Sequence, residues 1–181
     1  MEIISMIDKL VLEFFLSIYN PLLNIIIVIF TKLGDYGFIW LIIIFIMILY
    51  KVKDWRYGLY SLIASSVLNE FIFKNIFDRT RPCNSIEIND MLIECPMTYS
   101  FPSSHALVAF CFAYVFSKLV PKYKYIIWII AFFVAISRAY LGVHYFFDVL
   151  VGALLGILIG YIIIRIKNYI NDDAIKSDNK R

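Results

Sequence analysis

Histidine and charge are both scarce in this chain of 181 residues, which has only two histidines and 17% charged residues. Apolar residues make up 62%, too large a share for a soluble domain of this size. The net charge of +3 comes from cations near the ends of apolar stretches, so it does not indicate nucleic-acid binding. The length suits one domain, and the sequence shows no internal repeat. The start, Met1-Glu2, predicts no cleavable signal peptide.

Long stretches without Lys, Arg, Asp or Glu recur along the sequence, at 38–50, 57–69, 106–117, 125–137 and 149–164. With their flanks, several reach the roughly 20 residues that a membrane-spanning helix needs. The sequence therefore predicts an all-α, polytopic membrane helical bundle with five spans, at 37–54, 56–76, 104–120, 124–141 and 145–166. Residues 1–170 are expected to form this single domain, followed by a flexible polar tail over 171–181.

The N-terminal segment from Leu10 to Phe30 is apolar but has one polar face. Steps of four, three and four place its polar residues on that face: Glu13, Ser17, Asn20 and Asn24. Pro21 also interrupts the segment. These features favour an amphipathic helix lying in the membrane interface. A sixth span is the alternative.

Cations are concentrated in three segments, 51–56, 118–124 and 165–181. The positive-inside rule assigns these segments to the cytoplasm. Alternation of five spans then predicts that 77–103 and 139–145 lie outside, as does the N-terminus. Three short clusters of polar residues fall in or beside these outer segments, so they are expected to meet at one extracytoplasmic face of the cell membrane.

One cluster contains His144 and Asp148, four residues apart at the start of the last predicted span and expected to share a helix face. A carboxylate there can accept the proton of imidazole Nδ1 and leave Nε2 free as a nucleophile. The alternative is an interfacial histidine that is simply hydrogen-bonded within its helix. Because an acid this close to the membrane interior is costly, the functional interpretation is favoured.

The second histidine, His105, follows Pro102-Ser103-Ser104 and is predicted to lie in the first turn of a helix. Serine caps helix amides, and these amides and the helix dipole favour an anion. A histidine at this position can protonate a departing oxygen. The alternative is an ordinary helix start.

Three cations complete the clusters: Lys74, Arg81 and Arg138. A guanidinium matches the oxygens of a phosphoryl group and an ammonium adds a point charge, so these residues predict phosphate binding. Snorkelling of Lys74 and simple loop charge at Arg81 are the alternatives. Arg79 is expected to be solvated. The cations would repel a divalent ion, so no metal site is predicted.

Together these residues resemble the three-part signature of the type-2 phosphatidic acid phosphatase superfamily: Lys-x6-Arg-Pro, Pro-Ser-Gly-His and Ser-Arg-x5-His-x3-Asp. The first part is matched from Lys74 to Pro82 and the third from Ser137 to Asp148. The second part has Ser104 where glycine is usual. Ser104 adds a side chain where the substrate phosphate should approach closely, but activity is expected to survive because its backbone amide remains.

The resemblance, which covers residues 74–148, implies a helical bundle with a phosphatase site at the membrane surface that needs no metal or cofactor. It implies that His144 attacks phosphorus to form a phosphohistidine, that Asp148 orients His144, and that His105 protonates the leaving group. The phosphoryl oxygens would be bound by Lys74, Arg81, Ser103, Ser104 and Arg138.

The expected partner is a lipid phosphate that enters from the bilayer. Small bacterial members of this family hydrolyse undecaprenyl diphosphate to the monophosphate, and others act on phosphatidylglycerophosphate or phosphatidic acid. The short chain and the predicted interfacial helix favour the polyprenyl diphosphate. An alternative of another class is a catalytically silent lipid-binding or transport subunit, against which the presence of both histidines argues.

Two further features concern stability. Cys83 and Cys95 bracket the first predicted outer loop, where a disulfide is chemically permitted; free thiols are the alternative. Three glycines recur every four residues along the last predicted span: Gly152, Gly156 and Gly160. This stripe is expected to let a neighbouring helix of the same bundle approach closely, with dimerisation as the alternative.

Overall fold

A computed structural model describes residues 2–85 and 91–178, and the regular elements in these ranges are helical. In chain order they are α1 (Glu2–Ser17), α2 (Pro21–Gly34), α3 (Phe38–Leu49), α4 (Arg56–Leu68), α5 (Lys74–Ile76), α6 (Pro82–Ser85), α7 (Ser104–Leu119), α8 (Lys124–Tyr140) and α9 (Phe146–Asp178). Three helical stretches of the described residues are long and apolar enough to cross a membrane: Pro21–Leu49, Pro121–Tyr140 and Phe146–Asp173. The all-α prediction is confirmed, and the count of five spans stays a prediction.

The N-terminal segment forms two helices, so the single helix predicted over 10–30 is wrong. The side chain of Asn20 accepts a hydrogen bond from a backbone amide in the first turn of α2, and Pro21 takes the first helical position. Both residues start a helix rather than continue one. α2 then runs through one short 3-10 turn into α3. α1 packs against α8 and α9, and in the turn that follows it the Tyr19 hydroxyl donates to the carbonyl of Tyr140, at the end of α8, at 2.8 Å.

α7 is the central helix of the bundle, and α9 packs directly on it. The glycine stripe of α9 faces α7: a Cβ added at Gly152 would lie 2.7 Å from the carbonyl oxygen of Ser103, and one at Gly160 would lie 2.9 Å from that of Cys111. Any side chain larger than hydrogen would therefore push the two helices apart. The prediction that the stripe packs within the bundle is confirmed.

The segments predicted to be cytoplasmic lie together at one end of the bundle. Lys167 of α9 pairs with Asp54, just before α4, at 3.0 Å. Val52 and Val120, from two of the basic segments, pack against one apolar cluster. The polar clusters lie at the opposite ends of the same helices. α9 continues to Asp178, so the predicted tail is helical over 171–178, and 179–181 lie outside the described residues.

Candidate active site

His144 lies in the turn that precedes α9, so the prediction that it shares a helix face with Asp148 is wrong. Its side chain is 3% exposed, and its Nε2 lies 2.9 Å from Nη1 of Arg81. A guanidinium has donors and no acceptor, so Nε2 must accept and the ring proton must be on Nδ1. This is the tautomer that the nucleophilic role requires.

Asp148 faces His144 without touching it. Nδ1 of His144 is 3.7 Å from Oδ2 of Asp148, longer than a hydrogen bond, and Nδ1 has no hydrogen-bond partner among the described residues. Oδ2 accepts the N–H of Tyr145 at 2.9 Å, and Oδ1 accepts from Nη1 of Arg79 at 2.6 Å. The carboxylate is thus held in place beside the imidazole by other groups.

Arg79 belongs to the site, so the expectation that it is solvated is wrong. Its guanidinium pairs with both Asp8 and Asp148 at 2.6 Å and lies 4.1 Å from the centre of the Tyr145 ring. Burial opposes its charge, but the two carboxylates outweigh burial and raise the pKa of Arg79 above its ordinary value. These partners are 71 and 69 residues away along the chain, so no sequence spacing could reveal them.

All five N–H donors of Arg81 have acceptors. Nε donates to the carbonyl of Thr98 at 2.7 Å. Nη2 donates to the Thr98 hydroxyl at 3.0 Å and to the Tyr99 carbonyl at 3.1 Å. Nη1 donates to the Val143 carbonyl at 2.8 Å and to Nε2 of His144. Burial lowers the pKa of Arg81 to about 10 against the opposing charges of Asp148 and Glu70, so it is still a cation at neutral pH. It therefore holds a donor beside Nε2, where a phosphoryl oxygen would lie during attack.

Burial and the positive charges of Arg81 and Arg138 lower the pKa of His144 to about 3, although Asp148 acts in the opposite direction. His144 is therefore neutral at physiological pH, and the lone pair of Nε2 is available. A neutral imidazole with a fixed tautomer is what nucleophilic attack needs.

Lys74 is joined to the start of α7 through Glu70. Its Nζ lies 2.7 Å from Oε1 of Glu70, and the same oxygen accepts from the Ser104 hydroxyl at 3.0 Å. Asn69 donates to Ser104 at 2.7 Å. Both Asn69 and Glu70 belong to a π-helical turn, Asn69–Phe73, an irregularity found frequently at functional sites. Ser104 thus makes contacts that the usual glycine could not.

Ser103 and Arg138 each present a buried polar atom with unused bonding capacity. Ser103 occupies the N-cap position of α7, but its hydroxyl caps no amide. Its Oγ and Nε of Arg138 have no hydrogen-bond partner among the described residues. The Ser103 amide donates to the carbonyl of Asp148 at 3.0 Å, and the Arg138 carbonyl accepts from the His144 amide at 3.2 Å. Unpaired buried donors near His144 favour an anionic ligand.

His105 lies in the first turn of α7, where it was predicted, and its Nε2 is 2.9 Å from Oδ1 of Asp35. Gly34 permits this approach, since a Cβ there would lie 2.8 Å from Cδ2 of His105. A carboxylate at this distance offsets part of the cost of charging a partly buried imidazole. Asp35 was not among the predicted site residues, because nothing in the spacing links it to a histidine 70 residues away.

A cavity of about 480 Å³ extends from His105 and Ser104 between α3, α4 and α7. Most of its other lining side chains are apolar: Leu41, Leu59, Leu62, Ile63, Val67 and Val108. An apolar cavity with a few polar groups at one end suits a hydrocarbon chain that carries a polar head.

A disulfide joins Cys83 to Cys95, which decides between the two alternatives for these cysteines. It links the chain just after Arg81 to the chain just before Thr98. These two segments hold each other through the guanidinium of Arg81. The disulfide therefore restrains the backbone on both sides of this contact.

Comparison with known proteins agrees with this arrangement. The sequence model of the PAP2 superfamily matches residues 54–172. Undecaprenyl-diphosphatase from Sulfolobus acidocaldarius is 32% identical over 156 residues, covering 83% of this chain and 74% of the relative. Phosphatidylglycerophosphatase B from Bacillus subtilis is 32% identical over 173 residues, covering 86% and 81%. A crystal structure of a transmembrane PAP2-type phosphatidylglycerolphosphate phosphatase from Bacillus subtilis has a TM-score of 0.75 at 30% identity, covering 94% of this chain and 89% of that one.

These relatives are named as phosphatases, which favours an enzyme over a silent subunit. The matched region contains all three parts of the signature, from Lys74 to Asp148. The resemblance inferred from the sequence is thereby confirmed, and the chain belongs to the PAP2 superfamily as a membrane lipid phosphatase.

Proposed function

We propose that the protein hydrolyses undecaprenyl diphosphate to undecaprenyl monophosphate and phosphate at the extracytoplasmic face of the membrane. The observation that carries the chemistry is the 2.9 Å contact between Nε2 of His144 and Nη1 of Arg81, which puts a nucleophile and a cation at one point. For the substrate, support comes from the relative named undecaprenyl-diphosphatase. The cations Lys74, Arg81 and Arg138 also suit a diphosphate, which carries more negative charge than a phosphate monoester.

The reaction would proceed in two steps. Nε2 of His144 attacks the terminal phosphorus, and the bond from that phosphorus to the bridging oxygen breaks. His105 gives its proton to the bridging oxygen, while Asp148 stabilises the positive charge that develops on the His144 ring. Nη1 of Arg81 passes from Nε2 to a phosphoryl oxygen. Water then attacks phosphorus, returns a proton to His105 and releases phosphate from His144.

The proposed orientation follows from the two ends of the bundle. The basic segments lie together at the end opposite the site, so the positive-inside rule assigns the site to the outer face. α1 packs over the site end and leaves apolar side chains exposed, among them Ile3, Met6, Leu10 and Phe14. This arrangement fits a helix that lies in the outer interface beside five spans, within a single domain over 1–170.

Phosphate release by the purified protein in detergent, with EDTA present, tests the proposal. Undecaprenyl diphosphate, phosphatidylglycerophosphate and phosphatidic acid are compared at matched concentrations, with His144→Ala as the inactive control. A preference for the diphosphate is expected. A preference for a glycerolipid would instead favour the second candidate, a phosphatidylglycerophosphate or phosphatidic acid phosphatase, which the similarity to phosphatidylglycerophosphatase B supports. Release by folded His144→Ala at the wild-type rate would contradict the proposed nucleophile.

A further inference from the structure

Asp8 is a buried carboxylate on the N-terminal helix α1, far in sequence from residues 54–172 that match the family. Its side chain is 1% exposed. Oδ2 accepts from Nη2 of Arg79 at 2.6 Å, and Oδ1 accepts from the backbone N–H of Phe147 at 3.0 Å. Burying an ionised carboxylate is costly unless it is paired and hydrogen-bonded. Both of its contacts are with residues next to the turn that holds His144: Phe147 follows this turn in the chain, and the Arg79 guanidinium lies over the ring of Tyr145.

The contact with Arg79 leads directly to Asp148. Arg79 gives Nη2 to Asp8 and Nη1 to Oδ1 of Asp148, each at 2.6 Å. Asp148 is fully buried, and its Oδ2 is the oxygen that lies 3.7 Å from Nδ1 of His144. A continuous chain of charged groups therefore runs from α1 to the carboxylate that orients the nucleophile.

Sharing Arg79 between two carboxylates determines which oxygen of Asp148 faces His144. A guanidinium readily binds one carboxylate through both terminal nitrogens. With Nη2 paired to Asp8, Arg79 meets Asp148 through Nη1 and Oδ1 alone, and Oδ2, which also accepts the Tyr145 N–H, stays on the side of the carboxylate that faces His144. Without the charge of Asp8, Arg79 would be free to bind both oxygens of Asp148 and to draw Oδ2 away from the ring.

We propose that Asp8 is a positioning residue for the phosphatase reaction, so that α1 completes the active site by keeping Arg79 from capturing Asp148. This inference rests on the proposed roles of His144 and Asp148. It assigns to the N-terminal helix a part in catalysis in addition to its packing on the bundle.

The test compares Asp8→Asn with Glu13→Gln, which neutralises an exposed carboxylate of the same helix. Asn keeps an oxygen for the Phe147 amide but loses the ion pair with Arg79. We expect kcat for phosphate release to fall by about tenfold to a hundredfold, since small displacements of catalytic groups have effects of this size. KM should change by less than about threefold, because substrate contacts are retained. Glu13→Gln should match the wild type.

The variant Arg79→Gln and the double variant separate positioning from general packing. If Asp8 acts through Arg79, adding Asp8→Asn to Arg79→Gln should lower kcat no further, whereas independent packing defects would multiply. Asp8→Glu keeps the charge and should recover most of kcat. Melting curves in detergent report whether each variant is folded.

Wild-type kcat in folded Asp8→Asn, or multiplied losses in the double variant, would overturn the inference. If Asp8→Asn does not fold, Arg79→Gln alone decides: it must lower kcat with little change in KM, and an unchanged kcat refutes the connection to Asp148. An active His144→Ala variant would instead refute the proposed function itself, so the two failures are distinguishable.

Discussion

Arg81 is expected to control the protonation state of His144, and the variant Arg81→Gln tests this directly. A glutamine side chain can still donate a hydrogen bond to Nε2, which now lies 2.9 Å from the guanidinium, but it carries no charge. The substitution therefore separates the charge of Arg81 from its hydrogen bond. With that charge removed, the pKa of His144 should rise from about 3 towards its ordinary value.

The size of the rise can be bounded from the geometry. Two unit charges about 4 Å apart interact by roughly 4 kcal/mol at an effective dielectric constant of about 20. Because one pKa unit corresponds to about 1.4 kcal/mol, the ceiling is a rise of about three units. Burial is the largest cause of the low pKa and is retained in the variant. We therefore expect a rise of about one to three units, which would leave part of His144 protonated near pH 5.

The scarcity of histidine makes the assay direct. The chain has two histidines, so a sample labelled with 15N-histidine gives the ring signals of His105 and His144 alone, and His105→Asn assigns them. The ring nitrogen shifts report both the tautomer and the pKa. In the wild type at pH 7, His144 should be neutral with its proton on Nδ1. The acid limb of kcat/KM should move to higher pH in Arg81→Gln, since protonated Nε2 cannot attack.

Two results would refute this reasoning. One is a wild-type His144 that carries its proton on Nε2 at pH 7, since Arg81 could not then donate to that nitrogen. The other is an Arg81→Gln protein that its melting curve shows to be folded, but in which the pKa of His144 does not rise. Lys118→Gln, which removes a cation at the opposite end of the bundle, should leave the His144 signals unchanged.

Three further predictions concern the surroundings of the site. Asp35→Asn should lower kcat about tenfold or more on lipid substrates, because Asp35 supports the protonated form of His105. The loss should be much smaller on p-nitrophenyl phosphate, whose leaving group needs no proton from His105, and equal losses on both substrates would contradict this role of Asp35. Reducing the Cys83–Cys95 disulfide should lower the stability of the protein by about 2–3 kcal/mol, seen as a lower Tm in detergent, whereas a Cys83→Ser variant should melt at one temperature with or without reductant. Gly156→Ala should destabilise by about 1–3 kcal/mol, because the new Cβ would press on backbone of α7; an unchanged Tm would contradict the close packing.

Local sequence determined the helical, membrane-embedded character of the chain and most of its reactive residues. Uncharged apolar stretches require helices in a bilayer, because the backbone must satisfy its own hydrogen bonds there. Fixed spacings within short segments identified His144 with Asp148, and the helix start at Ser103 located His105. Each of these signals acts over a few residues, which is why it can be read from the sequence.

The partners of those residues were decided by the tertiary structure alone. Asp8 and Asp35 reach the site from segments that carry no signature, and Arg79 stands at one of the variable positions of the first signature part. The contacts that these residues make span about 70 residues of the chain. The same holds for the tautomer of His144, which depends on a guanidinium 63 residues away. Charges acquire partners when helices pack, because burial makes an unpaired charge too costly to keep. Which carboxylate meets which cation therefore follows from the way the helix ends come together, and this is not encoded in any single stretch of the chain.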